Sequence, residues 1–173
     1  MQKGDERMRL EAMAVTNPHV DGHPNRVGFE GVLTVVNTPS DKAPAGARGH
    51  RVTLTREAAE KALPSLLGMA VDYRPGWDGH DARRKIGILT EADVVGLRVV
   101  VRGYLYARDF PEVARAIEAQ SPEAMGMSYE LADARVEDLR AEIWKLTRVT
   151  FTGAAILLRD KAAYRATSFR MAK

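Results

Sequence analysis

Hydrophobic and polar positions along the chain alternate far more often than they recur with helical spacing, and the alternating runs are short and bounded by Gly, Pro, Asn and Asp. MRLEAMAVT (8–16) and 28–37, within GFEGVLTVVN, read as strands. In the second, Phe29, Leu33 and Val35 fall on one face, with Glu30, Val32, Thr34 and Val36 on the other. Residues 38–50, TPSDKAPAGARGH, predict a mobile surface loop. TREAAEKALPSLLG then predicts a helix with Thr55 as N-cap and Glu57 in its first turn, ended or kinked at Pro64.

Further on, 69–73 predicts a short strand, 74–84 a polar loop, and 85–92 with 96–107 a hairpin turning at Asp93 to Gly96. DFPEVARAIEAQ predicts a helix with Asp109 just before its first turn, Pro111 inside it, and Val113, Ile117 and Ala116 on its inner face. GMSYELADARVEDL and EIWKLTRVTFTGAAILL return to strand alternation, with Ile143, Val149 and Phe151 toward one side. RDKAAYRATSFRMAK predicts a short helix and a tail. About seven strands and two clear helices without regular β–α alternation predict a mainly β protein with peripheral helices (α+β), a mostly antiparallel barrel or sandwich. At 173 residues a single domain over 1–173 is expected, with flexible ends at about 1–7 and 168–173.

Composition narrows the chemistry. There is no cysteine, so disulfides, thiolate zinc sites and cysteine nucleophiles are excluded. Lys plus Arg exceed Asp plus Glu by 26 − 23 = 3 with both signs interspersed, which speaks against a dedicated nucleic-acid binder. The charged start MQKGDERMRL lacks the apolar core of a signal peptide, and no run approaches the roughly 20 apolar residues of a membrane helix. The chain is therefore expected to be soluble, without a membrane partner.

Four histidines, at 19, 23, 50 and 80, limit any histidine-dependent mechanism. His80 lies in the loop DGHDARRKIG between Asp78 and Asp81, and two readings stand: a catalytic histidine at a strand mouth, or a solvated surface histidine. His19, His23 and Asp21 share a turn-rich loop and could join His80 and Asp81 around zinc or iron. No motif fixes that geometry, and a polar surface loop explains the residues equally. Of the five serines only Ser128, in AMGMSYEL, has strand-forming apolar neighbours on both sides. A serine hydroxyl needs a base to become a nucleophile, and His80 is the best available; otherwise Ser128 is a buried strand serine. Tyr129 and Glu130 follow where a nucleophile elbow needs glycine, which disfavours an α/β-hydrolase.

GHDARRKIGILTEADVVGLRVVVRGYLY, a helix, AMGMSYEL and LTRVTFTGAAILLRDKAAYRATSF, in that order, resemble the phage prohead (capsid maturation) proteases, whose fold is similar to that of the herpesvirus assemblin proteases. The resemblance covers roughly residues 70–169. It implies a serine endopeptidase with Ser128 as nucleophile and His80 as general base, cleaving scaffold or the scaffolding segment of the capsid protein, and itself. It also implies a homo-oligomer working in the host cytoplasm inside the assembling procapsid, without a cofactor. Many relatives carry an acid in the strand that here reads LTRVTFTG, where this chain offers Arg148, Thr150 and Thr152. Glu142 is the nearest carboxylate in that strand, Thr152 could orient the ring instead, and a Ser-His dyad is the third possibility. By the same resemblance Arg159 would stabilise the oxyanion, against its reading as a surface arginine. The absence of an acid near Arg148 keeps open a different class, a non-catalytic capsid assembly protein retaining the protease fold.

Overall fold

The computed structural model describes residues 23–172. The strand expected at 8–16, together with His19 and Asp21, lies outside them. Among the described residues eight strands form one curled sheet: β1 (Arg26–Val35), β2 (Arg51–Leu54), β3 (Ala70–Asp72), β4 (Lys85–Val95), β5 (Arg98–Tyr106), β6 (Met125–Val136), β7 (Ile143–Leu158) and β8 (Ser168–Met171). Two helices, α1 (Arg56–Ala62) and α2 (Pro111–Glu118), sit at its margins.

The sheet is mostly antiparallel, as expected, but mixed, with two of its strand pairings parallel, and it curls into a half-barrel. β7 is sixteen residues long. It pairs antiparallel with β6 along one edge, while β2 and β3 both run parallel to it along the other. From β3 the sheet continues antiparallel through β4, β5 and β1 to β8. Its two ends curl toward each other without pairing. A Cβ placed on Gly31 of β1 would lie 2.5 Å from Met127 Sδ of β6, and Met127 N–H donates to Thr167 Oγ1 at 3.2 Å. This half-barrel encloses a core that includes Phe29, Leu33, Ile86, Leu89, Met127, Phe151 and Phe169. Removing that apolar surface from water is the main drive for closure.

Local chemistry explains both agreements and differences. Thr55 caps α1, its hydroxyl accepting from Ala58 N–H at 3.1 Å. Past Ala62 the chain tightens into a 3-10 turn at Leu63–Leu66 carrying Pro64. The cap of α2 is Phe110 rather than Asp109, whose carboxylate instead accepts from Asn25 Nδ2 at 2.9 Å. The hairpin turns at Gly96-Leu97 and not at 93–96, because Val95 pairs directly with Arg98; Gly96 supplies the positive φ of 61° that this two-residue turn uses.

The expected C-terminal tail is β8, added to β1 at the register Gly31 to Phe169. Phe169 packs its ring 5.0 Å from that of Phe29. The short helix expected before it is a single 3-10 turn, Arg159–Lys161. A four-residue strand is too brief for alternation to declare itself in the sequence. The 38–50 loop is also tied down. Asp41 N–H donates to Ala163 O (2.8 Å), Arg165 N–H to Asp41 Oδ2 (2.7 Å), and Tyr164 Oη donates to Thr38 O (3.2 Å). Neither described helix is long and apolar enough to cross a membrane.

Candidate active site

The pairing of three neighbouring strands sets out the site. On β7, Ala155 is opposite Ser128 of β6 on one side and opposite Asp72 of β3 on the other. Directly paired residues project from the same face of a sheet, so Ser128, Ala155 and Asp72 form one row on the outer face. Met127 and Tyr129 alternate to the inner side, and both pack with the core. By the same period of two, Gly126 and Glu130 join Ser128 on the outer face of β6.

His80 is delivered to this row by the 73–84 loop. The loop is pinned where Leu158 N–H donates to Trp77 O at 2.8 Å and where Asp81 N–H donates to Asp72 Oδ1 at 3.2 Å. Gly76 (φ 90°) and Trp77 (φ 56°) make its sharp bend, braced by an Arg74–Asp78 ion pair at 2.8 Å. His80 Nδ1 lies 3.7 Å from Asp72 Oδ1 and 3.6 Å from Glu130 Oε1. A ring that close to a carboxylate from β3 and one from β6 lies over β7, the strand between them. Gly153, the paired partner of Glu130, leaves room for that carboxylate: a Cβ there would stand 2.8 Å from Glu130 Oε2. The imidazole is only 15% exposed, and both ring nitrogens are buried without a hydrogen-bond partner. Buried polar atoms in this condition cost stability, and such exceptions are concentrated where a group is kept for chemistry.

Asp72 is the one charged side chain buried among the described residues, at 1% exposure. Besides His80 and the Asp81 amide it faces Lys85 Nζ at 3.7 Å. A buried carboxylate persists only with such partners. Asp81, the acid next to His80 in sequence, turns the other way: its carboxylate accepts from Arg83 N–H (3.0 Å) and Arg84 Nε (3.2 Å). The Arg83 amide, foremost among its partners, holds that carboxyl below the usual range.

Arg159 closes the other end of the row. Its Cα lies 3.1 Å from where a Cβ on Gly126 would stand, and its Nε is buried with no hydrogen-bond partner. Along the outer face of β6 the order is therefore Arg159 over Gly126, then Ser128, then Glu130 beside His80.

Of the residues singled out in the sequence, Ser128, His80 and Arg159 gather at this row; Glu142 does not. It sits just before β7, its carbonyl oxygen 2.9 Å from His50 Nδ1 and its side chain exposed. That is thirteen residues and a contour of about 40 Å from Ala155. Glu142 is thus corrected as the third member: leading into the strand that passes the site does not put a residue near it. Thr152 occupies the irregularity between the Glu130–Gly153 and Leu131–Phe151 pairs and makes no hydrogen bond to His80. The carboxylates that do approach His80, Asp72 and Glu130, were missed. Each had a signal: an acid inside the apolar strand MAVDY, and an acid two residues after Ser128 on the same strand face.

No three His, Cys, Asp or Glu side chains among the described residues converge as a metal site. His50 instead stacks on Trp144 at 4.4 Å, and His23 Nδ1 accepts from Asn25 N–H at 3.2 Å.

The curled mixed sheet, with its histidine loop between β3 and β4, is a herpesvirus-protease-like fold. A solved structure that it matches is KSHV protease in complex with a hexapeptide phosphonate inhibitor, at a TM-score of 0.51 and 12% sequence identity. The match covers 85% of this chain and 65% of that one, so the chain spans just under two thirds of its neighbour's length. No protein-family model and no curated protein sequence matches the chain.

Proposed function

We propose that the protein is a serine endopeptidase of capsid maturation. The observation that carries this reading is the row on β6: Ser128 stands between Gly126, against which Arg159 packs with its Nε buried and unpartnered, and Glu130, beside a histidine whose two ring nitrogens are buried and unpartnered and which faces a buried aspartate. In this mechanism Asp72 holds His80 with Nδ1–H toward its carboxylate, leaving Nε2 to accept the Ser128 proton as Oγ attacks a peptide carbonyl. The proton then passes to the leaving amine, and water hydrolyses the acyl-enzyme.

The separation of 3.7 Å between Nδ1 and Oδ1 exceeds hydrogen-bond range by roughly 0.5–1 Å. Catalytic hydrogen bonds of unliganded sites commonly tighten when substrate binds. That closure would satisfy both orphaned ring nitrogens at once. Arg159, behind Gly126, supplies positive charge to the developing oxyanion.

The phosphonate peptide bound by the fold's solved neighbour supports a peptide as ligand. The sequence resemblance to prohead proteases supports the finer reading. On it, the substrates are the scaffold or the scaffolding segment of the capsid precursor, and the protein itself, and the enzyme acts as a homo-oligomer inside the procapsid in the host cytoplasm.

The test is processing of the cognate capsid precursor, together with labelling by a peptidyl phosphonate, in wild type, Ser128→Ala and His80→Ala. Cleavage and labelling are expected in wild type alone, and Ser121→Ala should behave as wild type. Equal processing by wild type and Ser128→Ala would sink the serine mechanism.

A further inference from the structure

A second feature of the β6–β7 ribbon lies well away from Ser128. Between α1 and the ribbon is an open hollow of about 580 Å³, lined by Ala58, Lys61, Arg135, Thr147, Arg148 and Val149. Arg135 and Arg148 are direct cross-strand partners, an arrangement in which like charges repel. Lys61, from the last turn of α1, adds a third positive charge to the same walls. None of the three makes an ion pair among the described residues, although Arg56–Glu60 and Lys145–Glu137 pairs form nearby.

The backbone creates this apposition. The β6–β7 register shifts between Ala132 and Arg135, and Asp133 adopts a positive φ of 51°. Bulges of this kind re-aim the side chains that follow them. Here the result is two arginines facing each other across the ribbon.

We infer that this hollow is a docking site for an acidic peptide segment. Carboxylates would relieve the repulsion among Arg135, Arg148 and Lys61 through charge-assisted hydrogen bonds. Ala58 and Val149 offer apolar surface to the aliphatic stems of glutamate side chains. A nucleic acid is disfavoured because the hollow is a single concavity on a chain of net charge +3 and continues into no basic stripe in the sequence.

Arg135 is seven residues from Ser128, roughly 20 Å along β6. An extended protein substrate held in the hollow could therefore reach the serine. As a substrate site it rests on the endopeptidase reading; as a binding site it does not, and the experiment keeps the two apart.

Full-length Ser128→Ala protein is titrated into a rhodamine-labelled hexaglutamate peptide, with fluorescence anisotropy as the readout. Saturable binding that weakens with added salt is expected, reduced at least tenfold by Arg135→Gln with Arg148→Gln and several-fold by Lys61→Gln. Removing like charges should leave the thermal midpoint equal or higher, and Lys61→Gln, at an exposed helical position, provides a second reading of the same site. Equal peptide binding by all these proteins, or no binding at all, overturns the inference. So does displacement of the peptide by hexathymidylate or inorganic phosphate at concentrations below those at which unlabelled hexaglutamate competes. Because Ser128 is absent throughout, failure of the protease reading would leave this result unchanged.

Discussion

Asp72 and Ser128 face the same residue of β7, Ala155, from opposite sides. Two strand spacings of about 4.8 Å separate their backbones, and His80 comes to this row with Nδ1 3.7 Å from Asp72 Oδ1 and 3.6 Å from Glu130 Oε1. A larger side chain at 153 would fill the space that the Glu130 carboxylate uses, since a Cβ there would stand 2.8 Å from Glu130 Oε2. Gly153 is thus as much part of the site as the groups that carry charge.

Replacing Asp72 with Asn keeps its shape and removes its charge. The amide no longer holds His80 with Nδ1–H toward it, so kcat for a peptide substrate should fall by about 10²–10⁴ with KM little changed. The rate of phosphonate labelling at Ser128 should fall in parallel. Glu130→Gln, on a side chain 54% exposed, should cost far less. A purely structural role for Asp72 would instead lower stability while leaving kcat per folded molecule intact, and that outcome would remove it from the mechanism.

Arg159 Nε is buried without a hydrogen-bond partner, and on the endopeptidase reading it is the donor that an oxyanion at Ser128 would meet. Arg159→Ala should therefore lower kcat by about 10²–10³ while substrate binding is largely preserved. Single-turnover kinetics separate the two terms. A matching rise in KM with kcat unchanged would assign Arg159 to substrate binding rather than to the transition state.

Much of this arrangement was legible in the chain. Ser128 was marked by its apolar neighbours, His80 by its place in a loop before a strand, and the capped helix by Thr55 and Pro64. What could not be read was which strands lie side by side. β3 and β6 are neighbours only through β7, so Glu130 approaches His80, and through it Asp72, across fifty or more residues of sequence. Glu142, just before β7, and Arg148, within it, misled for the same reason: a sixteen-residue strand passes through several environments, and position along it decides what a residue meets. The bulge at Asp133 was hidden as well, since a positive φ at aspartate leaves no mark in hydrophobic alternation.

Gly126 is constrained by contact rather than by its backbone angles. A methyl group there would stand 2.4 Å from Thr167 Oγ1, which accepts from Met127 N–H and donates to Tyr164 O. It would also press on Arg159 Cα at 3.1 Å. Gly126→Ala should therefore cost about 1–3 kcal/mol in overpacking, measured by urea unfolding. Activity should fall by more than the loss of folded protein explains, because the displaced segment carries Arg159. Gly46→Ala, where a Cβ meets nothing within 4 Å, tests the contrast; any destabilisation there comes from its φ of 84° alone.

The barrel interior makes stability sensitive to alkali. Burial pushes the Tyr129 hydroxyl from its ordinary value near 10 up to about 12, with the side chains of Thr34 and Tyr164 pulling weakly the other way. Burial raises Tyr164 as well. The folded state thus holds these protons more tightly than the unfolded chain does. Their contribution is fully present below pH 10 and is lost as pH rises through about 12. Unfolding free energy followed by circular dichroism should fall over that window, in step with tyrosinate absorbance. Tyr129→Phe should flatten the decline, since phenylalanine has no proton to lose; a decline of the same steepness in that variant would show that other groups govern alkaline unfolding.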